Sequence, residues 1–396
     1  MSKWERVKLG DVCEFINGDR GKNYPSAKDF KDEGIPFINA GHLVNKKIDF
    51  SEMNYINKTT FDKLGSGKIQ KNDIFYCLRG SLGKNAISNI DTGAIASSLV
   101  LLRCGGRLEP RFLLHCIDSR DIEMQQDSSN TGSSQPNLSA TNVKAYSIPL
   151  PPIDEQKKIA EILDKASNLI SLRKKQIGKM DLLVKANFIN IFGDIEINEK
   201  NWNVGIVNDV IDSITPGWSG NGEARAKRED EKAVLKVSAV TRGIFNANEY
   251  KVLDSNIRIK KYIYPQKGDL LFSRANTREL VGATCIIYED YPDLLLPDKL
   301  WKLLFNNKAN VFYMKYILSE PWVRSNISAQ STGTSGSMYN VSMYKLKNIE
   351  IPVPPIDLQN QFADFALKVN KQKAKLQQGL EKLELTYKAL MQQYFG

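Results

Sequence analysis

Residues 148–193 read IPLPPIDEQKKIAEILDKASNLISLRKKQIGKMDLLVKANFINIFG, and residues 351–396 read IPVPPIDLQNQFADFALKVNKQKAKLQQGLEKLELTYKALMQQYFG. The two 46-residue segments align without a gap at an offset of 203, with 15 identities. Each opens on a proline stop and continues as one long amphipathic stretch. Each follows about 150 residues of mixed, turn-rich sequence. The chain is therefore a tandem duplication of a globular part followed by a long helix, and every further reading must fit that layout.

A seven-residue frame in the second copy places Phe362, Val369, Leu376, Leu383 and Leu390 at one core position. Ala366, Lys373, Leu380, Tyr387 and Tyr394 fall at the other. The same frame in the first copy selects Ile159, Leu163, Ala166, Ile170, Arg173, Ile177, Met180, Val184, Asn187 and Ile191. A 4-3 spacing sustained this long predicts a coiled-coil seam. Arg173, Asn187 and Lys373 are polar intrusions that either fix register or snorkel to solvent. The prolines at 149, 151, 152, 352, 354 and 355 permit a helix only after them. Asp154 and Asp357 suit a helix start, and Phe192-Gly193 and Phe395-Gly396 suit its end.

Helices of ~40 residues are ~60 Å long. If they pair antiparallel, the end of the second returns to the first globular part, and the chain closes as a dumbbell without a long return connection. The expected class is α+β: two mixed α/β domains separated by two long antiparallel helices that form a coiled-coil rod with approximate two-fold symmetry. The expected boundaries are 1–150 and 194–353 for the globular parts, and 151–193 and 354–396 for the helices.

The globular parts are distant relatives. Trp4 to Val12 resembles Trp202 to Val210. Lys71-Asn72-Asp73-Ile74-Phe75 parallels Lys267-Gly268-Asp269-Leu270-Leu271, and each leads to an arginine, Arg79 or Arg274. Pro110-Arg111-Phe112-Leu113-Leu114 parallels Asn310-Val311-Phe312-Tyr313-Met314 and reads as a helix in both. Residues 131–139 and 334–342 form matching Gly/Ser/Asn loops. Short β-branched and aromatic runs at 94–102 and 284–288 predict strands. The polar loops differ: Asn17-Gly18-Asp19-Arg20-Gly21-Lys22-Asn23-Tyr24 faces Thr215-Pro216-Gly217-Trp218-Ser219-Gly220-Asn221-Gly222. Variable loops on a shared scaffold are where recognition usually sits.

A formal charge of +10 and a pI near 9.1 favour a polyanionic partner such as nucleic acid. Five scattered cysteines without a CxxC pair favour reduced thiols, hence a cytoplasmic setting. The start, MSKWERVKLGDV, carries no signal core, and no apolar run approaches the ~20 residues that span a membrane. Two histidines and no cysteine cluster predict no metal site.

Catalytic patterns are missing. No Asn/Asp-Pro-Pro-Tyr/Phe motif is present for base methylation, and no GxGxxG follows a strand. Gly80-Ser81-Leu82-Gly83-Lys84-Asn85 lacks the spacing of a phosphate loop and its Ser/Thr after lysine. Asp293 and Asp298-Lys299 lack the acid-x-Lys pair of a nuclease. His42 and His115 complete no nucleophilic triad. The residues read as those of a binder.

Divergent tandem heads, each ending in PPIxxQ and a long helix, resemble the specificity subunit of type I restriction-modification systems. The resemblance spans the whole chain. It rests on LPPIDEQ at 150–156, VPPIDLQ at 353–359, the tryptophan-led starts at 4 and 202, and the polar loops before each proline stop. It implies that each head is a target-recognition domain for one half of a bipartite site in double-stranded DNA. It implies that the helices set the spacing and dock two modification (methyltransferase) subunits, with restriction subunits joining. S-adenosylmethionine, ATP and magnesium then belong to those partners, and this chain holds no cofactor. Because the loops differ, the half-sites should differ.

Groups suited to reading base edges are Arg, Lys, Asn, Gln, Ser and Thr on exposed loops. In the first head these are Arg20, Lys22, Asn23, Tyr24, Arg79, Ser81, Lys84, Asn85, Gln135 and Asn137. In the second they are Trp218, Asn221, Arg225, Arg242, Arg274, Asn276, Arg278, Tyr339 and Asn340. Two other readings stay open: a freestanding coiled-coil DNA-binding protein, which would bind without a methyltransferase, and an enzyme with an unrecognised site, which would turn over DNA alone.

Overall fold

The computed structural model describes residues 4–129, 137–254, 256–331 and 338–396. The chain folds into two compact units: Met1–Lys175 with Gln377–Gly396, and Gln176–Leu376. Both long segments are helical over 40 residues, Ile153–Phe192 and Ile356–Phe395. Each unit takes part of each helix, so the boundaries cut both helices near their middles.

The first unit is built on a four-stranded antiparallel sheet in the order Cys13–Asn17, Leu99–Cys104, Ile74–Cys77, Asn85–Ile87. The second has the same order, Ile211–Pro216, Leu300–Phe305, Leu270–Ser273, Thr284–Ile286. Each unit adds a smaller sheet with one parallel pair: Ile35–Ile38 beside Ala94–Ile95, and Ala233–Leu235 beside Leu294–Leu295. The tryptophan-led starts close each unit by pairing with the strand of the proline stop. Arg6–Lys8 lies on Ser147–Pro149, and Val204–Ile206 lies on Glu350–Pro352.

The repeated motifs have physical roles. Asp73 and Asp269, both buried, accept from the backbone N–H three residues back, Gln70 (2.8 Å) and Gln266 (2.7 Å). Each also neutralises a cation on the neighbouring central strand, Arg103 (2.8 Å) or Lys302 (2.8 Å). The residue before each acid turns through positive φ, 69° at Asn72 and 92° at Gly268, which asparagine and glycine tolerate. The glutamine of PPIDxQ is fully buried in both copies. Gln156 Oε1 accepts from the Glu109 N–H (2.8 Å), and Nε2 donates to the Arg107 (2.9 Å) and Pro151 (2.8 Å) carbonyls. Gln359 repeats this with Asn310 (2.8 Å), Lys308 (3.1 Å) and Pro354 (2.7 Å). One side chain thus ties the long helix to the start of a short helix, Pro110–Cys116 or Val311–Ile317.

That match corrects the sequence alignment by one residue. Glu109 corresponds to Asn310, so Phe112 lies opposite Tyr313 and His115 opposite Tyr316.

Within each unit the two helix portions run antiparallel. In the first unit Ile159, Ala160 and Leu163 share a core with Tyr387, Leu390, Met391, Tyr394 and Phe395. Lys174 meets Glu384 (2.8 Å) further along. In the second unit Val184, Phe188 and Phe192 share a core with Phe362, Ala366 and Val369, and Lys373 binds Asp181 (2.6 Å). Ile159, Leu163, Val184, Phe362 and Val369 are buried; Ile170, Ile177, Leu376, Leu383 and Leu390 are half-buried. Among the described residues no helix is long and apolar enough to cross a membrane.

Candidate nucleic-acid interface

Antiparallel order brings three loops to one end of each four-stranded sheet. In the first unit Asn17 pairs with Val100 and Cys77 with Leu99. The segments leaving Asn17, entering Leu99 and leaving Cys77 therefore converge. Gly18 is forced by this approach: a Cβ there would sit 2.4 Å from the Ala96 carbonyl oxygen. Arg79 forms a bridge with Asn137, and the Leu138 N–H donates to the Leu78 carbonyl (2.9 Å), which adds a fourth segment. The result is a cleft of about 510 Å³ whose lining includes Asp19, Arg20, Arg79, Asn137, Ser139 and Asn142. Arg20 donates to the Ser97 carbonyl (3.1 Å).

The second unit builds the same end from other residues. Pro216 pairs with Trp301, and Ser273 with Leu300. Gly217 holds the structural position of Gly18, where a Cβ would lie 2.0 Å from the Leu296 carbonyl oxygen. Along the sequence Gly18 aligns with Pro216; the shared crowding moves the match by one. Ala275 and Asn276 form a two-residue ribbon with Asn340 and Tyr339. The Arg274 guanidinium lies 5.9 Å over the Trp301 ring, and its Nε is buried without a hydrogen-bond partner among the described residues. Arg274, Asn276, Tyr339 and Asn340 are thus brought together. The Trp218 N–H donates to the Leu296 carbonyl (2.8 Å), which holds the Trp218 loop at the same sheet end.

The remaining sequence candidates divide. Lys22, Ser81, Asn221, Arg242 and Arg278 are exposed. Asn23 donates to the Lys63 carbonyl (2.9 Å), and Tyr24 packs edge-on against Phe37 at 5.7 Å. Asn85 is buried and turned inward. It donates to the Gly83 carbonyl (2.8 Å) and Asp118 (2.8 Å) and accepts from Lys46 (2.7 Å). Lys84 points to the Ala40 carbonyl (2.7 Å). Neither presents a free group to solvent, because the tight turn at Gly80 and Gly83 reverses the chain before them. Arg225 is exposed but clamped in two-pronged fashion by Glu231 (2.7 Å on each arm). Hydrogen bonds from Arg225 hold the Glu231 carboxyl down to about 2. Gln135 lies outside the described residues.

Asp19, Ser139 and Asn142 line the cleft without having been singled out. Asp19 receives the Gly21 (2.7 Å) and Gly65 (2.8 Å) N–H groups, and these bonds lower its pKa. The Asp-x-Gly pattern at 19–21 is a turn signal that points to it. Ser139 caps a short helix by accepting from the Asn142 N–H (3.1 Å), as Ser342 does from Lys345 (3.2 Å). Both histidines are fully occupied. His42 sits between the Asn39 N–H (3.1 Å) and the Glu52 carbonyl (3.1 Å), and His115 between Asp164 (2.8 Å) and Tyr387 (3.1 Å).

The family description of a type I restriction modification DNA specificity domain matches residues 1–180 and again residues 199–385. The chain belongs to this family. Among curated relatives, the EcoKI specificity subunit of Escherichia coli (strain K12) is 23% identical over 384 residues, covering 90% of this chain and 80% of that protein. The MjaVIII specificity subunit of Methanocaldococcus jannaschii is 23% identical over 389 residues, covering 91% and 84%. The fold matches the crystal structure of the type I restriction-modification S subunit from M. genitalium at a TM-score of 0.62. That match has 13% identity and covers 100% of this chain and 96% of the other. Recognition of DNA sequence is what this specificity-domain family does, and the family is non-catalytic in itself. The two specificity domains of this chain share their sheets, buried acids and glutamine ties, and differ at the loop-bearing sheet ends.

Proposed function

We propose that this chain is the DNA-reading subunit of a type I restriction-modification complex, each unit reading one half of an asymmetric, bipartite site. The observation that carries the reading is the contrast at the two equivalent sheet ends. One holds a cleft with Arg20, Arg79 and Asn137; the other holds a ribbon with Arg274, Asn276, Tyr339 and Asn340 beside Trp218. Arg and Asn are the side chains that address guanine and adenine edges in two-pronged fashion. Different chemistry at equivalent places favours two different half-sites over a palindrome. The chain further serves to dock two modification subunits and the restriction subunits. S-adenosylmethionine, ATP and magnesium are assigned to those partners and no cofactor to this chain.

The test is methylome sequencing of cells with and without the gene, in the presence of the partner methyltransferase. A split motif that appears only with the gene is expected. Arg79→Ala should relax one half and Arg274→Ala the other, each by ~1–3 kcal/mol of base discrimination. A palindromic motif, or no change of motif with an active partner, would sink the reading.

A further inference from the structure

Residues 256–268 read NIRIKKYIYPQKG: four cations and no carboxylate. The adjoining sheet region of the second unit pairs most of its cations, Lys251 and Arg228 being without an ion pair among the described residues. Arg225 is paired with Glu231 and Glu223, Lys227 and Lys232 with Asp293, and Lys236 with Glu249. Neutralised side chains contribute little field beyond a few ångströms. Arg258, Lys260 and Lys261 are exposed, and among the described residues none has an ion-pair or hydrogen-bond partner.

The segment is also held in place. Ile259 packs in one cluster with Trp218, Val234, Leu253 and Leu295. The Asp254 N–H reaches the Asn221 carbonyl (3.5 Å). Beyond the cations, the Ile263 carbonyl accepts from Leu296 (2.7 Å) and the Pro265 carbonyl from Tyr291 (3.0 Å). The ridge therefore runs alongside the Trp218–Asn221 loop. Its half-buried isoleucines at 257 and 259 face the protein while 258 and 260 face water. Anchoring lowers the ordering entropy that three free cations would otherwise lose on binding.

We infer that the 258–261 ridge is a sequence-independent phosphate clamp, which grips the DNA backbone next to the half-site read by the Trp218 loop. The inference rests on the DNA-reading proposal. The Lys260 and Lys261 ammonium groups and the Arg258 guanidinium suit phosphate oxygens, and backbone contacts carry no base code. The clamp sets how tightly the second unit holds DNA and leaves its choice of bases alone.

The test uses the full chain purified with its methyltransferase subunit and a mixed-sequence duplex several helical turns long. Binding is measured by anisotropy across a salt series for the parent and for the combined Arg258→Ala, Lys260→Ala and Lys261→Ala variant. The slope of log affinity against log salt should fall by about 2–3, roughly one for each phosphate that the variant no longer neutralises. Affinity should fall alike on every duplex, while the methylome motif and the melting temperature stay put. A charge-conserving variant, Arg258→Lys with Lys260→Arg and Lys261→Arg, should restore the slope. A slope within ~0.5 of the parent's would overturn the clamp, since that is less than a single phosphate contributes. So would a changed half-site, which would make the ridge a base reader. If the parent itself shows no salt-dependent DNA binding, the DNA-reading proposal falls and the clamp with it. Parent binding with an unaffected variant defeats the clamp alone.

Discussion

The two places where a short helix meets the paired long helices have opposite chemistry. In the first unit His115 stands between Asp164 and Tyr387, and Arg111 also reaches Asp164 (3.3 Å). In the second unit the equivalent of His115 is Tyr316, which stacks on Phe188 (5.6 Å) and meets Phe362 edge-on (5.1 Å). Phe192 and Tyr313 complete that cluster at 5.0 Å. One junction is directional and polar; the other is broad and apolar. A register slip in the first strands a buried imidazole nitrogen, whereas a slip in the second only loosens packing. Two copies of one backbone can thus be held by different forces, provided each buried polar atom keeps its partner.

The largest test of this contrast is Phe362→Ala. It empties the centre of the aromatic junction and should destabilise the protein by ~3–5 kcal/mol in urea denaturation. Ile159→Ala, the equivalent change in the first unit, should cost less, since it removes a smaller side chain from its core. Next come the glutamine ties, which the units share. Gln156→Ala and Gln359→Ala each leave a part-buried backbone N–H without its acceptor and should cost ~1–3 kcal/mol. Closely similar values for the two are expected, and a wide gap would show that the framework is less equivalent than its geometry.

The third test is pH. Burial pushes the His115 imidazole below its ordinary range, partly opposed by the hydrogen bond and charge of Asp164; Lys46 adds to the lowering and Asp118 opposes it. The unfolded ring titrates near ~6.5. Between that value and the lower folded one, the unfolded chain binds more protons, so stability rises with pH. The contribution is fully present above about 6.5 and is lost as pH falls towards the folded pKa. Calorimetry at pH 5 and 7 should therefore show a smaller pH-driven drop in melting temperature for His115→Tyr, which copies the residue at 316, than for the parent. The smallest effect belongs to Glu384→Ala. Its ion pair with Lys174 is largely exposed, and its loss should shift stability by under ~1 kcal/mol, less still at high salt.

Much of the fold was legible. The prolines, the heptad and the terminal Phe-Gly bracket two 40-residue helices, because a sustained 3.5-residue period and helix stops act locally. The framework repeats Lys-Asn-Asp and Lys-Gly-Asp were visible, though their task was not. Arg103 is 30 residues from Asp73, and the N–H held by Gln156 is 47 residues away. The candidate site was legible in part. Arg79 and Arg274 follow equivalent strands to equivalent sheet ends. Lys84 and Asn85 look like loop polars in sequence, yet the Gly80 and Gly83 turn sends them inward to Ala40 and Asp118. Asn142 enters the cleft only because its helix packs there.

The sequence by itself determined the duplication, the two long helices, the mixed character of each globular part and the polar loops that differ between them. These follow from period, turn chemistry and repetition, which are read along the chain. Tertiary structure alone decided which charges are neutralised. Lys232 stands beside Glu231 in sequence, yet folding gives it Asp293 as its partner, while among the described residues Lys260 and Lys261 stay bare. Coulomb energy depends on distance in space. The residues that set those distances lie up to 61 positions apart, beyond the reach of any local pattern.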